Sequence, residues 1–275
     1  MLSDSFYGRI ISGIQEVLIG ADYSVTVIGA RNTRLGTLMT PEEACARAVD
    51  GYITLTLMNP EYMARLVKCG IPIVGAEFHF EAEAPTDYVV QDCEQIAWEL
   101  TRKLLELGHR RIAFFGHATR NINPVSCPDQ NSLERLAGIR RAFQGANISP
   151  SEDLFFQPPH PQWSSTEALF QQIFSRPLPP TAVFCEGPEA VAEVSAFLAR
   201  QGREPRDYPA FTIASTDGAS GVGRRCWQVI EDWTEFGRLA ARRMLQRIEK
   251  PDLPPETIKL PWRLEPPDAA IRGTH

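Results

Sequence analysis

The sequence predicts an α/β protein built on parallel sheets, and two observations carry that prediction. Short apolar runs rich in β-branched residues alternate with segments of helical periodicity almost from end to end, the pattern of a doubly wound sheet. Glycines and prolines punctuate those segments at their ends, as helix stops, first-turn residues and turns.

Ile10, Ile11, Ile14, Val17 and Leu18 recur at helical spacing, and residues 23–28 read as a strand. Thr40-Pro41-Glu42-Glu43 is a helix start, in which Thr40 caps, Pro41 suits the first helical position and Glu43 reaches back. A strand over 52–57 follows, then a helix over 61–68 stopped by Gly70 and a strand over 71–74. The pattern repeats with a helix over 94–107, its stop at Gly108, a strand over 112–115, a helix over 133–143 and a strand over 154–156. A helix over 165–174, a strand over 182–185, a helix over 189–200 with its stop at Gly202 and a strand over 211–214 continue it. A strand over 227–230, a helix over 234–248 and a strand over 257–260 close the series.

At 275 residues the chain has length for one large or two smaller domains. Its 28 basic against 34 acidic residues leave a net charge of −6, with no basic cluster, so it has no charge of its own for nucleic acid or an anionic membrane. No run approaches the ~20 apolar residues of a membrane span and no signal sequence opens the chain, so a cytoplasmic location is expected. Cys45, Cys69, Cys93, Cys127, Cys185 and Cys226 are widely spaced and read as reduced, mostly buried thiols. His79, His117 and His160 lack ligand spacing, and His109 follows a helix stop where an imidazole meets the last carbonyls. Gly218, Gly221 and Gly223 lack the strand and helix of a phosphate-binding loop, and no nucleophile motif is present. Neither metal, cofactor nor enzyme activity is expected.

The octapeptide Leu107-Gly108-His109-Arg110-Arg111-Ile112-Ala113-Phe114 resembles the helix-to-strand passage of the LacI/GalR family of bacterial transcription regulators. Further landmarks of that family follow in order. Asp4-Ser5-Phe6-Tyr7 is similar to its Asn-Pro-Phe-Phe/Tyr start, Val49-Asp50-Gly51-Tyr52-Ile53 to its Val-Asp-Gly-Leu-Ile strand, and Gly70-Ile71-Pro72-Ile73-Val74 to Gly-Ile-Pro-Val-Val. Arg135-Leu136-Ala137-Gly138-Ile139 resembles Arg-x-x-Gly-Phe, Trp163-Ser164 an aromatic element, and Pro180-Thr181-Ala182-Val183-Phe184 resembles Pro-Thr-Ala-Ile-Phe.

The resemblance implies a type I periplasmic-binding-protein-like fold, two α/β lobes joined by three crossovers with a small effector in the cleft. The lobes would be 1–108 with 231–258 and 109–230 with 259–275, crossing near 107–111, 229–232 and 257–261. Only Met1 to Asp4 precede the Phe6 helix, so the first strand of the first lobe and a helix-turn-helix headpiece are expected to be missing.

Phe6, Asp92, Arg135, Trp163 and Asp217 are the implied effector contacts. Arg135 offers a planar fork of donors, Asp92 and Asp217 offer acceptors, and Trp163 offers a flat apolar face. Taken without the resemblance, Arg135 is a solvated helix residue, Trp163 core and Asp217 a turn cap. Glu186-Gly187-Pro188 and Ser215-Thr216-Asp217-Gly218 depart from the family's Asn-Asp and Gly-Phe-Asp-Asp. The first departure is expected to thin the polar groups facing Arg135, leaving that residue dominant in binding and dispensable for folding. The implied partners are a small polar effector of the carbohydrate class, a second copy through helices 61–68 and 189–200 using Met63, Leu66, Val194 and Phe197, and operator DNA through another segment. A solute-binding protein of a transport system is the alternative on the same fold.

Overall fold

The computed structural model describes residues 5–28, 32–33, 36–37, 39–57, 59–80, 82–115, 130–156, 163–204, 208–216 and 226–268. Along the chain come α1 (Ser5–Gly20), β1 (Asn32–Thr33), β2 (Gly36–Thr37), α2 (Pro41–Cys45), β3 (Tyr52–Leu55), α3 (Pro60–Val67), β4 (Ile73–Ala76) and β5 (Asp87–Val90). Then follow α4 (Cys93–Glu106), β6 (Ile112–Phe115), α5 (Gln130–Gly145), a 3-10 turn (Glu152–Leu154), β7 (Phe155–Phe156), α6 (Trp163–Phe174), β8 (Ala182–Cys185) and α7 (Pro188–Arg200). The series ends with β9 (Ala210–Thr216), β10 (Trp227–Glu231), α8 (Trp233–Glu249), β11 (Thr257–Lys259) and β12 (Trp262–Glu265).

Two compact units result. Among the described residues the first comprises everything up to Asp92 together with Gln130 and Asp232–Pro261, and the second comprises the segment from Cys93, Asn131–Glu231 and the segment from Trp262. The chain thus leaves the first unit between Asp92 and Cys93, not near 107–111, because α4 belongs to the second core. Its Ile96, Leu100 and Leu104 are buried with Phe114, Phe143 and Phe184.

The first unit carries a parallel four-stranded sheet in the order β11-β5-β4-β3. β4 and β5 are buried along their whole length, whereas β3 is half-exposed and forms the edge among the described residues. The expected strand over 23–28 is not one. Its β-branched residues favour extension, but a ladder needs a partner, no described strand pairs with it, and Val27 and Ile28 remain 48% and 36% exposed. A second correction concerns the cysteines: Cys45 and Cys69 are joined in a disulfide with a Cα–Cα separation of 5.6 Å, while Cys93, Cys185 and Cys226 are buried free thiols.

Helix starts and stops follow the local chemistry. Thr40 accepts from the Glu43 backbone N–H while the Glu43 carboxylate accepts from the Thr40 N–H, and Pro41 occupies the first turn. Helices α3, α4 and α7 end ahead of Gly70, Gly108 and Gly202, each with φ between 74° and 91°, a left-handed conformation that only glycine adopts without penalty.

Helices α1 and α8 pack backbone against backbone at two glycines. A Cβ on Gly13 would lie 2.0 Å from the Thr234 carbonyl oxygen, and one on Gly237 would lie 2.0 Å from that of Ile10. Neither neighbour is a flexible side chain, so Gly237→Ala must push the helices apart and disturb Ile10, Ile14, Phe236 and Ala240 in the core below. We expect a loss of about 1–3 kcal/mol or more in urea unfolding; a change below ~0.5 kcal/mol would contradict this packing.

The second unit holds a six-stranded sheet in the order β12-β10-β9-β8-β6-β7, parallel except for β12, which runs antiparallel to β10. Its two faces are covered by separate apolar clusters, one with α4 and α5 and the other with α6 and α7. Met63, Leu66, Val194 and Phe197, expected at a dimer contact, are each at most 3% exposed within their own units, so core packing already occupies them.

Candidate functional site

Ligands of open α/β sheets meet the carboxyl ends of the strands. In the first unit β3 and β4 run straight into Thr56 and Glu77, both with left-handed backbone at φ 56° and 85°. Such a conformation is costly, above all for β-branched Thr56, and two adjacent strand ends carry it. The side chains of the same two residues meet: the Thr56 hydroxyl donates to the Glu77 carboxylate at 2.8 Å and is hydrogen-bonded to the Tyr7 hydroxyl, also at 2.8 Å. Tyr7 comes from the first turns of α1, where the neighbouring Phe6 packs edge-on against Trp233 at 4.6 Å. Phe6 thereby anchors the start of α1 to the core and sets Tyr7 above β3.

Asp92, two residues beyond β5, pairs with the Lys259 ammonium at 2.6 Å. The lysine is 60% exposed and the aspartate 20%, so the pair lies at the surface and contributes little to stability.

The second unit brings Arg135 to the end of β8. Arg135 is 6% exposed, and its guanidinium donates to the Glu186 carboxylate at 3.1 Å, with the Ser132 hydroxyl donating to the same oxygen at 3.0 Å. Glu186 follows β8 directly, and Ser132 lies one helical turn before Arg135 on α5, so strand end and helix face hold the pair together. The expectation of a polar-poor wall at 186–188 is therefore corrected. Gly187 and Pro188 open α7, while Glu186 itself supplies the carboxylate and commits Arg135 inside the protein.

At the ends of β6 and β7 the half-buried rings of Phe115 and Phe156 stack at 5.8 Å, with Phe170 edge-on to Phe115 at 5.1 Å. Trp163 opens α6, but its side chain is outside the described residues, and Asp217 is outside them altogether. Burial pushes the Cys93 thiol far up despite the Arg135 charge, and burial raises Cys185 likewise, so both are inert at neutral pH. Among the described residues no cluster of His, Cys, Asp or Glu is placed to hold a metal ion, and no helix is long and apolar enough to cross a membrane.

Residues 101–266 match the family described as the periplasmic binding protein-like domain. The chain belongs to that family. Catabolite control protein A of Priestia megaterium is 21% identical to this periplasmic binding protein-like chain over 266 residues, covering 96% of it and 77% of the relative. The crystal structure of the transcription regulator CcpA of Lactococcus lactis superposes with a TM-score of 0.78 at 17% identity, over 97% of this chain and 94% of the other. A LacI family transcriptional regulator from Enterococcus faecium with bound ribose superposes with a TM-score of 0.73 at 20% identity, over 97% and 94%. The LacI/GalR resemblance and the parallel α/β fold are thus borne out, and both solved structures are of proteins named as transcription regulators.

Sequence reasoning missed Tyr7, Thr56, Glu77 and Glu186. The strand-end rule points to all but Tyr7, yet the predicted strands ended two residues late at 57 and two residues early at 74, hiding Thr56 inside one and leaving Glu77 beyond the other. Glu186 had been read as a departure from a motif instead of as a partner of Arg135.

Proposed function

We propose that this chain is the effector-sensing core of a LacI/GalR-type transcription regulator, binding a small polar metabolite of the sugar class and coupling that binding to a DNA-reading headpiece. The observation that supports it most is the gathering of part-buried, hydrogen-bonded polar side chains at strand carboxyl ends: Tyr7, Thr56 and Glu77 in one unit, and Glu186 with the buried Ser132 and Arg135 in the other. Hydroxyl-bearing ligands both donate and accept, which suits such mixed sets, and the stacked Phe115 and Phe156 rings offer the apolar face a sugar ring uses. The ribose held by the Enterococcus faecium regulator on the same fold points the same way. Phe6, Asp92, Arg135, Trp163 and Asp217 remain the proposed contact set, to which Tyr7, Thr56, Glu77 and Glu186 are added. The working form is a homodimer in the cytoplasm, so that two headpieces read a two-fold operator.

Thermal unfolding of the purified chain against neutral aldoses, ribose among them, tests the reading. A sugar present at a hundred times its Kd stabilises by about 2.7 kcal/mol, a rise in Tm on the order of 5–10 °C for units of this size. If none of a broad aldose and disaccharide panel moves Tm at millimolar concentration, the reading fails.

A further inference from the structure

The Arg135–Glu186 pair bears on which effectors are accepted, and this inference rests on the function proposed above. Arg135 and Glu186 have side chains only 7% and 10% exposed, their charged atoms lie 3.1 Å apart, and Ser132 donates to the carboxylate oxygen that faces the guanidinium. We infer that Glu186 is a specificity-determining residue that makes the site select uncharged, hydroxyl-rich molecules and reject phosphorylated or carboxylate-bearing ones.

An unpaired buried arginine is the ideal clamp for a phosphate or carboxylate, because its fork matches two anionic oxygens. With Glu186 in place, an incoming anion only accepts hydrogen bonds and so competes with the carboxylate for the guanidinium. Displacing Glu186 leaves a buried carboxylate without its cation, and sharing the arginine sets two anions side by side in a desolvated corner. A hydroxyl group donates to a carboxylate and accepts from a guanidinium at once, so it joins the pair without opening it. Glu186→Gln keeps the size and hydrogen-bonding shape of the side chain while removing the carboxylate with which an incoming anion competes for Arg135.

Calorimetric titration with matched probes tests this: ribose against ribose 5-phosphate, and glucose against glucose 6-phosphate and gluconate. The parent is expected to bind a neutral member at least tenfold more tightly than its anionic counterpart. In Glu186→Gln that preference should shrink at least tenfold or reverse. The double variant Arg135→Gln with Glu186→Gln, which is neutral at both positions, should gain nothing for anions, and circular dichroism checks that each variant is folded. Tighter binding of ribose 5-phosphate or gluconate than of the neutral sugars by the parent would overturn the inference, as would a neutral-to-anion ratio within twofold of the parent in folded Glu186→Gln. Binding of no probe by any of the three proteins instead removes the sugar-effector reading itself, and this inference with it.

Discussion

Replacing Asp87 by Ala is expected to lower the stability of the first unit by about 3–5 kcal/mol, because it removes the buried carboxylate that two arginines share. Asp87 is fully buried at the start of β5. Its carboxylate accepts from Arg243 Nε at 2.8 Å, from Arg247 Nε at 2.8 Å and from the Glu256 backbone N–H at 3.0 Å. The arginines go on to donate to the carbonyls of Pro254 and Pro251. One side chain thus ties β5 to α8 and to the turn that delivers β11 to its partner β5. Burial by itself would raise the Asp87 pKa, but the bonds from Arg247, Arg243 and the Glu256 amide outweigh it and hold the group below its ordinary value.

The pH dependence has a definite sign. A carboxylate whose folded pKa lies below its unfolded value of about 3.9 contributes its full stabilisation above that value and loses it as pH falls through the folded pKa. Unfolding followed by the fluorescence of buried Trp233 should therefore show little change attributable to Asp87 between pH 5 and 7 and a fall below about pH 4. Asp87→Asn should be less stable throughout and flatter in that acid limb. An Asp87→Ala protein within 1 kcal/mol of the parent at pH 7 would show that the network contributes nothing net.

Arg135→Ala is expected to damage folding and binding together. Removing the guanidinium leaves the Glu186 carboxylate buried without its cation, with an expected loss of about 3–5 kcal/mol in the second unit. The proposed effector loses a charge-assisted contact as well, weakening binding by roughly 2–4 kcal/mol. A double-mutant cycle separates the two effects. Arg135→Met combined with Glu186→Leu exchanges the ion pair for apolar groups of similar volume, and such exchanges are often close to neutral for stability. The double variant should recover most of the thermal stability and none of the affinity. If Arg135→Ala keeps the parent Tm, the pair has no structural role; if the double variant binds like the parent, neither residue contacts the effector.

The part of this protein that was legible in its sequence is the part governed by short-range geometry. Strands over 112–115 and 182–185 coincide with β6 and β8 residue for residue, because each is a short apolar run bounded by polar or glycine-containing turns. The Thr40–Glu43 box and the stops at Gly70, Gly108 and Gly202 were readable because a cap involves atoms three or four residues apart and a left-handed stop needs one residue type. The family landmarks were readable because they lie in order along the chain. Tertiary structure decided what depends on a distant partner. Residues 23–28 have strand propensity but, among the described residues, no strand pairs with them, whereas Asp87–Val90 and Trp262–Glu265 are not predicted as strands and become β5 and β12 because sheets receive them. The Cys45–Cys69 disulfide closes over 24 residues, and the Arg135–Glu186 bond joins positions 51 apart. Arg135 was identified from its motif, but only the fold showed that its charge is answered from within, because a guanidinium reads alike in sequence whether it faces water, a ligand or a carboxylate brought there by a strand end.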